Sequence, residues 1–444
     1  MVGRLAGAVG ISGRKSSGPA PGACYFWAVP FVCAAMNEQL IVKNFGPIKD
    51  ATVDFKRVTV FIGPTGGGKS TLAKLAAVFM DYSFSVNDNE ARTSLFKDYS
   101  LINFSNSGTV FRWQDEDGKM AFDKTLEFNT GERGEKIAKR FTSAIKGESH
   151  LVNEVRKLIK EYAEAASRHE KEQGGQELAT SLINKLFAKS TLKTSQYFPA
   201  ERAFVTALEY SWSGLLRDDI GLPKLLLHFA NSFSLSRKEV SELDMPFLNV
   251  KYLHINGRDF IRIPEREEPL MLPETASGIQ SVTPLLVLLE HLSRNTEQAQ
   301  SFIIEEPELN LFPTAQFDLV KILVDKCARL EGQNDLVLTT HSPYVLTALN
   351  LLCYAFRIAQ QDEATARKVA KLIPRHCWID PAQFAAYYVD LPGTKRKQQV
   401  RSIINKKTGL IEENELDTAS DELSGIFDKL VRLHKPATTS TRAK

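Results

Sequence analysis

The chain has 444 residues, 43% apolar and 25% charged, with a formal net charge of +3. This composition is ordinary for a soluble globular protein rather than a disordered one, allows a large core with more than one lobe, and is too weakly basic to demand a nucleic-acid partner, though it permits DNA. The five cysteines, Cys24, Cys33, Cys327, Cys353 and Cys377, show no paired spacing, and His376 beside Cys377 makes no zinc pattern, so free thiols in a reducing compartment are expected.

Residues 1–35 are rich in Gly, Ala, Ser and Pro, and place Arg4, Arg14 and Lys15 ahead of an apolar run from Ala23 to Ala35. The pattern superficially resembles a signal peptide. Met36-Asn37-Glu38-Gln39 then makes a polar start leading straight into the strand-like Leu40-Ile41-Val42. The segment therefore reads as an over-extended start, poorly ordered or dispensable, rather than an export signal. No later stretch is long and apolar enough to span a membrane.

From Leu40 to about Met80 the order is strand, turn, strand, loop, helix. The turn is Asn44-Phe45-Gly46-Pro47-Ile48, and Ala51 to Phe55 alternates as a half-buried strand does. Val58-Thr59-Val60-Phe61-Ile62 is the short apolar run of a buried parallel strand, and Leu72, Leu75, Ala76 and Phe79 recur at helical spacing. Between them, Gly63-Pro64-Thr65-Gly66-Gly67-Gly68-Lys69-Ser70 fits the phosphate-binding pattern G-x-x-x-x-G-K-[ST], with Thr71 following. Its glycines let backbone N–H groups turn around phosphate oxygens, and the helix adds its positive end. Lys69 would neutralise the β- and γ-phosphates of ATP, and the Ser70 hydroxyl suits Mg2+, which takes hard oxygen donors.

Residues from about 81 to 195 are less regular: a mixed piece through Phe104, Val110, Phe111 and Trp113, then charged helical segments from Glu132 to Lys189. Within these, Leu151 to Ile159 puts its apolar residues on one face. Gly174-Gly175 interrupts the pattern early, so a long coiled-coil arm is not expected. The insert is either a partner-binding lobe or an elaboration of the core.

Leu248 to Ile255 and Phe260 to Ile263 read as a hairpin around Asn256-Gly257. Glu274-Thr275-Ala276-Ser277-Gly278-Ile279-Gln280-Ser281 then precedes an apolar helix from Leu285 to Leu292, which sets Ser277 and Gly278 at a helix N-terminus, an anion site. A chain with its own phosphate cradle uses a second such site if it closes over the nucleotide of a partner subunit; the alternative is a plain N-cap.

Ser301-Phe302-Ile303-Ile304-Glu305-Glu306-Pro307-Glu308 is a buried strand ending in acidic residues, as in a Walker B segment. At the carboxyl end of such a strand Glu305 would reach the Mg2+ shell through water, leaving Glu306 to polarise the attacking water. Asp335 to Thr340 is another buried strand, ending in His341, which could contact the γ-phosphate and sense its loss. Past His376 come a short apolar piece, the basic run Lys395-Arg396-Lys397 and a helix-like Glu422 to Leu433.

Taken in order, these motifs resemble the ATP-binding-cassette ATPases of the SMC, RecF and OLD (overcoming lysogenisation defect) group over about residues 38 to 390. Leu40 to Ile48, Tyr197-Phe198-Pro199-Ala200-Glu201-Arg202, Ser277 to Ser281 and Glu306 to Pro313 resemble those of bacterial defence ATPases, with the ATPase subunit of PARIS anti-phage systems the nearest match and Septu- and retron-associated ATPases close by. The resemblance implies an α/β ABC-type P-loop NTPase head with a helical insertion lobe. It implies ATP at the P-loop, Mg2+ at Ser70 with Glu305, catalysis at Glu306, a switch at His341 and a contact in trans at Ser277 and Gly278. Gln196 is a candidate for the glutamine linking the metal site to the arm. The chain departs from the family in lacking tandem signature glycines and in having Glu305 where aspartate is commoner.

The expected organisation is an extension at 1–35, the first part of the ATPase head at 36–130, a helical insertion at 131–195, the second part of the head at 196–390, and a tail at 391–444. About 100 residues follow His341, and no HNH-like or cysteine-pair pattern appears, so an effector would be another polypeptide. The expected function is a cytoplasmic ATPase sensor or scaffold of an anti-phage system: ATP-bridged heads form a homo-oligomer, a phage-encoded trigger alters that state, and a separately encoded effector, TOPRIM-like or another toxin or nuclease, is held and released. The competing expectations are a RecF-like clamp on duplex DNA and, more weakly, a transport ATPase.

Overall fold

The computed structural model describes residues 38–82, 89–115, 118–123, 193–207, 221–294, 298–393, 398–411 and 424–431, with Phe84 and Lys136. The chain divides into two compact units, Met1–Ala35 and Met36–Lys444, and every described residue belongs to the second. The extension at 1–35, nearly all of the expected helical insertion and the basic run Lys395 to Lys397 lie outside the described residues.

Three sheets are formed among the described residues. Strands β1 (Glu38–Phe45), β2 (Ile48–Phe55), β4 (Ser105–Asp115) and β5 (Gly118–Asp123) make an antiparallel sheet in the order β2-β1-β4-β5. A second antiparallel sheet, in the order β10-β9-β8-β7, contains β7 (Glu242–Met245), β8 (Val250–Ile255), β9 (Arg258–Arg262) and β10 (Leu270–Met271). Its β8–β9 hairpin turns at Asn256 and Gly257, both at positive φ (51° and 78°), the conformation that a two-residue type I′ turn requires.

The third sheet carries the site. Its order is β14-β13-β3-β12-β11-β6, from β3 (Val58–Ile62), β6 (Thr194–Phe198), β11 (Gln300–Glu305), β12 (Asp335–Thr340), β13 (Phe384–Val389) and β14 (Val400–Ser402). All neighbours are parallel except β13 and β14. Every residue of β3, β11, β12 and β13 is buried, which is why these strands read as unbroken apolar runs rather than alternating ones.

The period-2 alternation sends side chains to two cores. Val58, Val60, Ile62, Phe302, Ile304, Leu336 and Leu338 face one core, shared with helices α3 (Lys224–Glu239), α4 (Ser277–Ser293), α5 (Pro313–Cys327) and α6 (Pro343–Ala359). Phe61, Ile303, Val337 and Tyr387 face the other, which contains α1 (Lys69–Met80) and the inner face of the first sheet. Helices α2 (Asn89–Asp98) and α7 (Glu363–Leu372) flank this frame. Cys327, Cys353 and Cys377 are free, buried thiols. Residues 424–431 are helical, inside the stretch read as a helix from Glu422 to Leu433.

The order places β12 between β3 and β11, so three chemistry-bearing loops leave the same edge of the sheet. These are the Gly-rich loop after β3, Glu306 after β11 and His341 after β12. Ligands of open α/β sheets bind outside the carboxyl ends of the strands.

Candidate active site

Helix α1 begins at Lys69, and the loop before it is shaped by contacts that only glycine tolerates. A Cβ on Gly63 (φ 146°) would collide with the Val389 carbonyl, one on Gly67 would lie 2.7 Å from the same oxygen, and one on Gly68 (φ 108°) would collide with Ile48. The loop is thus seated between the end of β13 and the β1–β2 turn. Thr65 and Gly66 are exposed at its crest, Pro64 is half-buried, Thr71 is buried in the helix and Ser70 faces solvent.

Gln399 clasps this seat. Its amide nitrogen donates to the carbonyls of Pro47 (2.8 Å), Gly67 (3.0 Å) and Asp390 (3.2 Å), while its oxygen accepts the Lys49 N–H at 2.8 Å. The Lys69 ammonium donates to the carbonyls of Gly63 and Pro64 at 2.9 and 3.0 Å, using two of its three protons. Burial lowers its pKa, while Glu306, Glu305 and Glu308 pull the other way. A triphosphate in the loop would add to the attraction of those three carboxylates.

Glu305 ends β11 and is 4% exposed. Burial raises its pKa, opposed by the neighbouring Tyr197 and Ser70 hydroxyls and by Lys74. Its Oε1 atom is buried without a hydrogen-bond partner, and the buried Tyr197 hydroxyl lies beside the carboxylate. An orphaned carboxylate oxygen beside a serine hydroxyl fits Mg2+, which takes one or two protein oxygens and completes its shell with water and phosphate. Ser70 and Glu305 would hold the ion. Among the described residues no cluster of three His, Cys, Asp or Glu forms an all-protein cage.

Glu306 sits at φ 41°, a left-handed conformation that costs a non-glycine residue about 1–3 kcal/mol and clusters at functional sites. Its N–H donates to the Thr339 carbonyl at 2.9 Å, and its carboxylate lies 3.4 Å from His341 Nε2. Both side chains are partly exposed, at 26% and 35%, so a substrate water can reach them.

Residues to which the sequence alone assigns no role hold this pair. Glu308 Oε1 accepts from the Thr340 hydroxyl at 2.6 Å and from the His341 N–H at 2.9 Å. Thr340 Oγ1 in turn accepts the Ser342 N–H at 2.9 Å, and the Ser342 hydroxyl both caps α6 through the Tyr344 N–H and donates to Gln316. Arg202 is fully buried and donates to the carbonyls of Glu305 and Glu306, each at 2.7 Å, and to Ser281 (3.1 Å) and Pro199 (3.2 Å). Burial pushes its pKa down to about 10, so it stays a cation at neutral pH. Tyr197 occupies the place beside Glu305 that Gln196 was expected to take. Strand alternation turns Gln196 to the opposite face, where it lines a cleft of about 520 Å3 with His291, Gln298 and Gln300. Tyr197 and Arg202 belong to a motif visible in the sequence, but their partners are carbonyls and a carboxylate remote in the chain.

Ser277 is the first residue of α4 and is exposed; the N-cap is Ala276, so Ser277 is not the cap. Gly278 is buried against the loop after Glu306: a Cβ there would lie 2.6 Å from the Asn310 carbonyl. The site thus brings together Lys69, Ser70, Glu305, Glu306 and His341, while Gly278 abuts the same loop from the helix side. No helix among the described residues is long and apolar enough to cross a membrane.

The sequence matches the AAA ATPase domain family over residues 36–205 and 132–346. No curated protein matches it. Among solved structures it is similar to the SMC head domain from Thermotoga maritima, at 13% identity and a TM-score of 0.31, covering 71% of this chain and 92% of that one. It is similar to RecF in its ATPrS form, at 13% identity and a TM-score of 0.25, covering 70% and 93%. It is also similar to the Smc head with coiled coil and joint from Pyrococcus yayanosii, at 9% identity and a TM-score of 0.34, covering 84% and 98%.

Proposed function

From the premise that this chain belongs to the AAA ATPase domain family, we propose that it is a cytoplasmic, ATP-hydrolysing switch subunit of a bacterial anti-phage defence system. The observation that carries the hydrolytic part is the Glu306 carboxylate 3.4 Å from His341 Nε2, at the sheet edge where the Lys69 loop also opens. In this reading the loop amides and Lys69 bind the β- and γ-phosphates, and Glu306 accepts a hydrogen bond from the attacking water and turns it in line. His341 contacts the γ-phosphate and loses that contact on its release. Ser70 and Glu305 would hold Mg2+, which would supply charge neutralisation at the phosphates.

Ser277 is exposed at the tip of α4, accessible to the nucleotide of a second copy, which supports ATP-bridged association of heads. The defence assignment rests on the motif resemblance of Tyr197 to Arg202, Ser277 to Ser281 and Glu306 to Pro313. In it, the assembly state governs a separately encoded toxin or nuclease and answers a phage-encoded trigger. Such a switch needs a population shift more than flux, so slow turnover suffices.

The test is Glu306→Gln. Hydrolysis falls by about 10²-fold or more while Mg-ATP binding is kept, and light scattering shows the variant held as ATP-dependent pairs that wild type forms only transiently. Unchanged hydrolysis removes Glu306 as base. Tight, ATP-dependent, salt-sensitive binding of duplex DNA without any co-purifying effector would replace the defence reading with a DNA clamp.

A further inference from the structure

We propose that Arg202 is the positioning residue through which helix α4 sets the aim of Glu306. The inference rests on the reading of Glu306 as the base.

Arg202 lies on the short turn after β6 and is 0% exposed. All four of its hydrogen-bond acceptors are backbone carbonyls: Pro199, Ser281, Glu305 and Glu306. A buried cation without a carboxylate in hydrogen-bond contact is a costly way to staple a fold, since an apolar side chain of similar volume does as well or better. What the guanidinium does that an apolar group does not is hold several acceptors at once in one rigid plane.

Those acceptors define the coupling. Glu306 is in a strained left-handed conformation, and such a residue persists only where its surroundings over-determine it. Its N–H is fixed by the Thr339 carbonyl and its own carbonyl by Arg202, so both flanking peptides are held and the carboxylate is aimed at His341. The same guanidinium reaches the Ser281 carbonyl, one helical turn into α4 from Ser277. Gly278, between them, packs on the Asn310 carbonyl of the loop that follows Glu306. Helix α4 therefore grips the catalytic segment at two points. A displacement of its tip by a ligand at Ser277 is delivered through Arg202 to the peptide of Glu306. The tip of the helix and the base move as one unit.

The experiment compares wild type with Arg202→Lys, which keeps the charge and loses the planar fork, and with Arg202→Gln, which keeps a planar donor and loses the charge. Both are first checked for native melting. The expected result is a kcat reduced roughly 10- to 100-fold, the scale of a small misplacement of a reacting group, with KM and equilibrium binding of a fluorescent Mg-ATP analogue within about threefold of wild type. In the Glu306→Gln background Arg202→Lys causes no further loss, because both act on one step. A raised KM with unchanged kcat, or losses that multiply in the double variant, would overturn the inference. Wild-type hydrolysis in Glu306→Gln would instead sink the underlying reading, whatever Arg202 does. Should neither Arg202 variant fold, hydrogen exchange on the unaltered protein decides. A non-hydrolysable ATP analogue must change protection at the Glu306 amide and in the first two turns of α4 together; a change at one alone refutes the coupling.

Discussion

Glu308 accepts the backbone N–H of His341 at 2.9 Å, so the residue two places after the candidate base holds the residue that follows β12. Glu308 and His341 are 33 positions apart in sequence, and this one carboxylate locks the segments that leave the two strands. A further bond at 2.6 Å to Thr340 makes the lock two-pronged.

Glu308→Ala leaves the Thr340 hydroxyl and the His341 N–H without their acceptor. The expected cost is about 2 kcal/mol of stability, since abandoned buried donors cost more than the bonds they made. Denaturant unfolding measures it, and hydrolysis is expected to fall by about tenfold or more as His341 loses its anchor. Glu308→Gln retains an acceptor oxygen at the lock and is expected to recover most of the stability.

Glu305 gives a pH signature. Its folded pKa is raised above the ordinary 4.5, chiefly by burial. Between the unfolded and folded values the folded chain binds more protons than the unfolded one, so stability falls as pH rises through that window and stays reduced above it. Glu305→Gln removes this penalty. Without nucleotide, the variant is expected to melt higher than wild type at neutral pH and to lose that advantage as the pH falls through the raised folded pKa towards 4.5. Its Mg2+-dependent gain in ATP affinity should be lost. Melting curves across pH and nucleotide titrations with and without Mg2+ check both halves.

Gln399→Ala deprives three carbonyls and the Lys49 N–H of their shared partner behind the phosphate loop. The loop then loses its tie to the β1–β2 turn. We expect Mg-ATP affinity to weaken by about tenfold, or about 1.4 kcal/mol, with kcat at saturating ATP largely kept. Isothermal titration separates this from a loss at the base.

Gly278→Ala forces a methyl against the Asn310 carbonyl, 2.6 Å away. Backbone on both sides leaves little room to yield, so destabilisation of about 1–3 kcal/mol is expected. If Gly278 served only a partner molecule, the isolated chain would melt unchanged.

The motif residues were legible because local pattern encodes them. Val58 to Ile62 had to be a strand buried on both faces, and the four glycines, Lys69 and Ser70 had to turn from it into a helix. Ser301 to Glu305 and Asp335 to Thr340 carried the same buried-strand signature, which placed Glu306 and His341 at strand ends. Gln196 was misplaced because alternation along β6 gives Tyr197 and Gln196 opposite faces, and the face was set by the pairing of Gln196 with Phe302 and Tyr197 with Ile303. The N-cap at Ala276 was illegible because it uses no side-chain bond.

The sequence by itself determined which residue types could meet a triphosphate and that they would sit at the ends of parallel strands. Only the tertiary structure decided how those ends are held: Arg202 on four carbonyls, Gln399 behind the loop, Glu308 across to His341. The physical reason is that the acceptors of Arg202 and Gln399 are backbone carbonyls and one partner of Glu308 is a backbone N–H. Every residue has the carbonyl and every one but proline the N–H, so neither leaves a mark in the sequence, and strand pairing brings them into reach: Arg202 meets the Glu305 carbonyl across 103 positions and Glu308 meets the His341 N–H across 33.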